Sequence, residues 1–273
     1  LLYKIAAIND QQTLLNTVAY LKKIGSSTLF SDYVGQDAKN SEVIAYQLYQ
    51  GGLGLPEREY YFKTDSTTID IRNKYVEYIT KILSMSGDQP DKAAQSAKNI
   101  LQLETKLASA SRKIEDLRDP YKNYNKMSVA DLDKMSANIN WKSYLPEIGV
   151  RAVDSVIVGQ PEFFTTLNTL LKTIPMDDWK AYVKFNLISD YAAVLPDAYG
   201  VEAFNFNKLF SGAKQRKPRW KRMIQLEEDA MGEMLGQLYV KEFFNETAKK
   251  RYTIMVDAIK AALKDRIGKL TWM

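Results

Sequence analysis

From Pro56 to its last residues the chain carries its apolar side chains at the spacing of an α-helix, and this period sets what it can fold into. Ile71, Tyr75, Tyr78, Ile79, Ile82 and Leu83 form one stripe, closed by Gly87. After Pro90, the positions Ala93, Ala97, Ile100, Leu101, Glu104, Leu107 and Ala108 continue a second. Ser128 with Asp131 three residues later reads as a capping box opening a short helix, and Pro161 suits the first turn of another. Asp177 or Asp178 starts a helix that runs through Trp179, Tyr182 and Tyr191 to Pro196, and a further one holds Phe204 and Leu209 before Gly212. Two long helices follow, about Pro218 to Phe244 and Glu246 to Lys269. The stripe Tyr252, Val256, Ile259, Leu263, Ile267 and Leu270 is too short for a coiled coil and predicts core packing.

The N-terminal part differs. Asp10 is positioned to cap a helix carrying Leu14, Leu15, Val18 and Leu21, which Gly25 stops. Then the period shortens. Leu29 to Val34 and Val43 to Tyr49 are rich in aromatic and β-branched residues, with Gly35–Ser41 as a polar loop between them, and predict a β-hairpin over about 29–49. No fixed-period repeat and no long Pro/Gly/Ser linker divides the chain. The fold class expected is mainly α, one multi-helix domain over residues 1–273 with a single small β-hairpin.

Composition narrows the chemistry. The chain of 273 residues has no His and no Cys, which removes ordinary zinc sites, Ser-His-Asp triads, thiol nucleophiles and disulfides. With 45% hydrophobic and 11% aromatic residues it can build a sizeable core, and no apolar run approaches the ~20 residues of a membrane span. Net charge is +5, and residues 214–273, with 14 basic and 8 acidic groups, account for +6 of it. Glu227, Glu228, Asp229 and Glu233 interrupt that basic region, so a solvated helix face is expected. Arg216, Lys217, Arg219, Lys221 and Arg222 surround Trp220, but Trp220 shares a helix face with Ile224 and reads as a packing anchor; nucleic-acid binding is not expected. The ends, Leu1-Leu2-Tyr3 and Leu270-Thr271-Trp272-Met273, lack a leader and a polar tail, and predict an internal segment of something larger.

Three further features invite chemistry. Gly51-Gly52-Leu53-Gly54 could cradle a phosphate, but Pro56 removes an N–H donor where one is wanted, so a glycine bend leaving the hairpin is the better reading. Glu57 and Glu59 flank Arg58 and suit an ion pair more than paired acid–base work. Asn245, in the sequon Asn245-Glu246-Thr247, suits a helix cap.

The stretch Gly51-Gly52-Leu53-Gly54-Leu55-Pro56-Glu57-Arg58-Glu59-Tyr60-Tyr61 resembles the G-G-L-G-L-P-x-R-D/E-Y-Y segment of neprilysin-like zinc metallopeptidases. Other matches follow in the family's order. They are Asp37-Ala38-Lys39-Asn40 in the hairpin, Arg118-Asp119-Pro120 with Tyr124-Asn125-Lys126-Met127-Ser128, Pro218-Arg219-Trp220-Lys221-Arg222 with Gly236-Gln237-Leu238-Tyr239-Val240, and the closing Leu270-Thr271-Trp272-Met273. The resemblance spans nearly the whole chain, and the lack of Cys places it with the bacterial oligopeptidase branch.

It implies the helical cap domain of such an enzyme. The family's H-E-x-x-H helix and zinc would belong to a catalytic domain beyond residue 273, so this chain has no catalytic, cofactor-binding or metal residues and no peptidase activity alone. Its expected partners are its own C-terminal catalytic domain and the peptide substrates of the parent, with no nucleic acid. The alternative is a stand-alone helical scaffold or peptide-binding protein without enzymatic activity. Gly54, Pro56, Arg58, Tyr60, Tyr61, Arg219, Trp220 and Tyr239 are the candidate motif or interdomain residues. Arg58, Tyr60 and Tyr61 would either face the chamber or seam, or pin the hairpin exit to the helices. An exported parent, periplasmic, cell-surface or secreted, is implied, with a cytoplasmic one the alternative.

Overall fold

The computed structural model describes residues 1–26 and 28–272; Met273, which ends the closing motif, lies outside the described residues. By its contacts the chain divides into two units, Leu1–Lys214 and Gln215–Met273.

In the first unit, a short α1 (Leu2–Ala6) precedes α2 (Gln11–Lys23). The Asp10 carboxylate accepts the Thr13 N–H at 2.7 Å while the Thr13 hydroxyl accepts the Asp10 N–H at 3.1 Å, a reciprocal cap that satisfies two otherwise orphaned donors. The helix stops at Gly25, whose φ of +93° reverses the chain. Strands β1 (Ser31–Asp37) and β2 (Asn40–Tyr49) then form the antiparallel hairpin.

The hairpin loop is shorter than the Gly35–Ser41 stretch that the sequence predicts. The strands run to Asp37 and resume at Asn40, leaving Ala38-Lys39 as the turn. Ladder hydrogen bonds are main-chain bonds, so Gly35 and Gln36 pair with Ala45 and Ile44 although their side chains are not strand-like. The hairpin is also not alone. β3 (Asn125–Ser128) and β4 (Ser155–Val158) complete a sheet of order β1-β2-β4-β3, with β4 parallel to β2 and β3 antiparallel to β4. Each added strand has four residues, too few to display a period. Their partners lie far off in sequence, so only the tertiary fold reveals them.

The helices between and after these strands are α3 (Glu59–Phe62), α4 (Ser66–Met85), α5 (Pro90–Ala110), α6 (Ile114–Leu117), α7 (Val129–Met135), α8 (Trp141–Glu147), α9 (Pro161–Thr173), α10 (Met176–Tyr191) and α11 (Asp197–Ser211). α4 and α5 pair through the predicted stripes, and α10 packs on both. Tyr75, Ile79, Ile82, Leu83, Ala93, Ala97, Ile100 and Leu107 are buried there. Two aromatic clusters close the core. Phe30 meets Trp141, Tyr144 and Phe164 at 5.4–5.7 Å between ring centroids. Tyr78 stacks on Phe206 at 4.9 Å and meets Phe185 edge-on.

The second unit holds α12 (Arg219–Phe243) and α13 (Glu246–Ile267). α12 breaks at Met231, where φ is −139°. Asn245 caps α13 by accepting the Ala248 N–H at 2.8 Å, as read from sequence. Neither helix has a buried residue, which corrects the expectation of core packing. Tyr252, Val256, Ile259, Leu263, Ile267 and Leu270 have the predicted spacing but are exposed, and Trp220 is 60% exposed instead of acting as a buried anchor. Periodicity shows that a helix has an apolar face; it does not supply the surface that covers it.

Candidate functional site

The glycine bend is fixed by close approach. A Cβ on Gly51 would stand 2.7 Å from the Ser31 nitrogen. Gly52 has a φ of +72° and would meet the Thr28 carbonyl oxygen and the Tyr182 hydroxyl, each at 2.7 Å. A Cβ on Gly54 would overlap the Tyr75 hydroxyl. The bend therefore lies on the entry to β1 and on phenols from α4 and α10, and Tyr182 donates to the Thr28 and Gly52 carbonyls at 2.5 and 2.8 Å. These contacts account for the glycines without a phosphate.

Beneath the bend is a charge that helical spacing alone shows only as one more position in a stripe. Glu104 of α5 is fully buried. Its carboxylate accepts from Tyr61 Oη at 2.7 Å, from Tyr75 Oη at 2.8 Å and from the Gly54 N–H. Tyr61 Oη also accepts the Leu55 N–H at 3.1 Å. Burial pushes the Glu104 carboxyl up to about 7, against the lowering by its three donors. Burial, and then the Glu104 charge, hold Tyr61 and Tyr75 well above the usual phenol range.

The segment Gly51–Arg58 lines a cavity of about 700 Å³, a size that suits a small ligand or part of a peptide. Tyr33 and Tyr49 from the hairpin, Arg112, and Asn186, Ser189 and Asp190 of α10 line it as well. The Arg58 guanidinium lies over the Phe62 ring at 5.2 Å and 3.8 Å from Glu59, so the expected ion pair is present. Its Nε is buried without a hydrogen-bond partner among the described residues. Tyr60 is half-buried, edge-on to Phe210 at 5.7 Å, and its carbonyl accepts from Arg72 at 2.8 Å. Pro56 is exposed at the rim, whereas Tyr61 is buried. Asp190 is pushed up by burial, offset by a bond from the Ser26 hydroxyl at 2.5 Å.

Two distant sequence motifs meet at the hairpin tip. Asp37, from Asp37-Ala38-Lys39-Asn40, accepts from Lys126 Nζ and Tyr124 Oη, both at 2.9 Å, and from the Lys39 N–H. The Lys126 bond foremost, then that N–H, holds the Asp37 carboxyl down at about 2. Lys39 lies over the Tyr124 ring at 4.5 Å.

In the second unit, Arg219 and Tyr239 are exposed along with Trp220, and Lys221 Nζ lies over the Trp220 ring at 5.3 Å. Leu238, Phe243, Ile254 and Met255 add to the exposed apolar side chains of these helices. Among the described residues no group of three or more His, Cys, Asp or Glu could hold a metal ion, and no helix is long and apolar enough to cross a membrane.

Fold and site together define a helical domain with a small mixed sheet and a cavity of mixed polar and apolar lining, and its residues do not fit a zinc centre. The sequence profile of peptidase family M13 matches residues 1–273, and the chain belongs to that family, as its N-terminal domain. It is 29% identical over 272 residues to human endothelin-converting enzyme 1, covering 97% of this chain and 35% of that protein. The zinc metalloprotease Zmp1 of Mycobacterium tuberculosis, solved with an inhibitor, superposes with a TM-score of 0.88 at 31% identity, covering 100% of this chain and 41% of that one. PepO from Lactobacillus rhamnosis has the same fold, with a TM-score of 0.83 at 17% identity over 100% of this chain and 43% of its own. The chain thus spans about a third of the curated relative and two-fifths of the solved ones. The bacterial branch read from the sequence agrees with these structural neighbours.

Proposed function

We propose that this chain is the non-catalytic helical half of a zinc metalloendopeptidase, enclosing the chamber in which peptides are cut. The observation that carries this reading is the second unit, where two helices of 25 and 22 residues have no fully buried residue and expose large apolar side chains. Apolar surface of this extent marks an interaction face. The relatives' greater length supplies a natural occupant, their remaining three-fifths, which we take to be the catalytic half. On this reading Arg219, Trp220 and Tyr239 contact that half, and Gly54, Pro56, Arg58, Tyr60 and Tyr61 form or brace the wall around the cavity.

The contribution is steric and electrostatic. A helical wall admits peptides and rejects folded proteins, and enclosure strengthens electrostatic interactions at the reacting centre by excluding water. Zinc chemistry would come from the other half, because this chain has no His or Cys to hold the metal.

The test is the reading frame beyond Met273. An encoded H-E-x-x-H helix, with chelator-sensitive cleavage of an internally quenched peptide by the full-length product and none by this chain, supports the proposal. A native stop directly after Met273, or zinc-dependent cleavage by this chain, overturns it.

A further inference from the structure

Glu104 is a buried carboxylate held by neutral donors alone. Its neighbours leave no compensating cation: α3 contributes Tyr61, α4 contributes Tyr75 and α10 contributes Tyr182, while the buried face of α9 is Phe163, Phe164, Leu167, Leu170 and Leu171. Among the described residues no Lys or Arg acts on it. It holds the glycine bend twice, directly through the Gly54 N–H and by relay through Tyr61, whose oxygen takes the Leu55 N–H. That bend is a wall of the cavity.

We infer that Glu104 is a positioning residue that, when ionised, fixes the Gly51–Pro56 wall of the cavity and, when protonated, loosens it. An ionised carboxylate offers only acceptors and meets three donors, so every hydrogen is placed. Protonation adds a fourth hydrogen facing two phenol oxygens, one already occupied by Leu55. A phenol must then turn its own hydrogen away, or the Gly54 N–H loses its acceptor. An unpaired buried donor is costly, so the wall relaxes. Burial places this change close to neutrality, where modest acidification reaches it. The inference does not depend on the function proposed above, because it concerns contacts within this chain.

The experiment is NMR of the ¹³C,¹⁵N-labelled chain between pH 5 and 9. The Glu104 carboxyl carbon and the Gly54 and Leu55 amides should titrate with one midpoint near neutrality. Protection of those amides from hydrogen exchange, corrected for intrinsic rates, should fall about tenfold on the acid side, the effect of losing one such bond. Tyr75→Phe, which removes one donor to the carboxylate, should move the shared midpoint upward. Glu104→Gln should abolish the response, and if that variant fails to fold the Tyr75→Phe arm still decides. A Glu104 carboxyl that titrates while both amides stay still, or one that titrates in the ordinary carboxylate range, overturns the inference.

Discussion

The hydroxyl of Tyr75 fills the space that a Cβ on residue 54 would need, so Gly54 and Tyr75 are a matched pair joined through the carboxylate both bind. The third glycine of the motif is thus required by packing, and the phenol that requires it lies on α4, outside the bend.

Gly54→Ala should destabilise the chain by about 1–3 kcal/mol, the usual range for overpacking. Tyr75→Phe should not rescue it, because the ring carbon Cζ would still lie 2.6 Å from the new methyl. Urea unfolding of both single variants and the double variant checks this, and a Gly54→Ala protein as stable as wild type would refute it.

Stability should also depend on Glu104. Its pKa is raised from 4.5 to about 7 in the folded chain, so the fold as a whole favours the protonated form: burial outweighs the bend's hydrogen bonds, which by themselves favour the ionised one. The stabilising contribution is complete below 4.5 and is lost as pH rises to about 7, a change of about 3 kcal/mol. Denaturation midpoints of wild type and Glu104→Gln across pH 4.5–8 should diverge over that window, the variant lacking this part of the slope.

Asp37 has the opposite sign. Its pKa is lowered from 3.8 to about 2, so its contribution is present above 3.8 and lost as pH falls through 2. Asp37→Asn and Lys126→Met should each flatten the acid limb of the stability curve between those values. Thermal melts at pH 2, 3, 4 and 6 measure it, and an unchanged acid limb would show that the hairpin tip is not held by this carboxylate.

Polar substitutions on the exposed apolar faces should leave stability nearly unchanged. Leu238→Gln, Phe243→Ser and Ile254→Lys remove no buried contact, so each should lie within about 0.5 kcal/mol of wild type. Together they should lower the binding of an apolar dye and reduce self-association in light scattering. A loss of several kcal/mol would mean that these side chains pack in solution.

Where a residue's role is local, the sequence showed it. The caps at Asp10, Ser128 and Asn245 depend on hydrogen bonds three residues away, and each is where it was read. The stripes of α4 and α5 and the glycine stop at Gly87 follow from the helical period and from the need for positive φ. The four-residue strands β3 and β4, the knot of Asp37 with Tyr124 and Lys126, and the anchoring of Gly54 by Glu104 were not legible. Each joins segments tens of residues apart.

The sequence by itself determined a helical chain with a hairpin near its start, an M13-like order of motifs, and the absence of imidazole and thiol. Tertiary structure alone decided that Glu104 lies in the dark beneath the glycine bend while the stripe of α13 faces water. The physical reason is that a side chain's spacing records which face of a helix it shares, whereas its burial and ionisation depend on what other segments bring against that face.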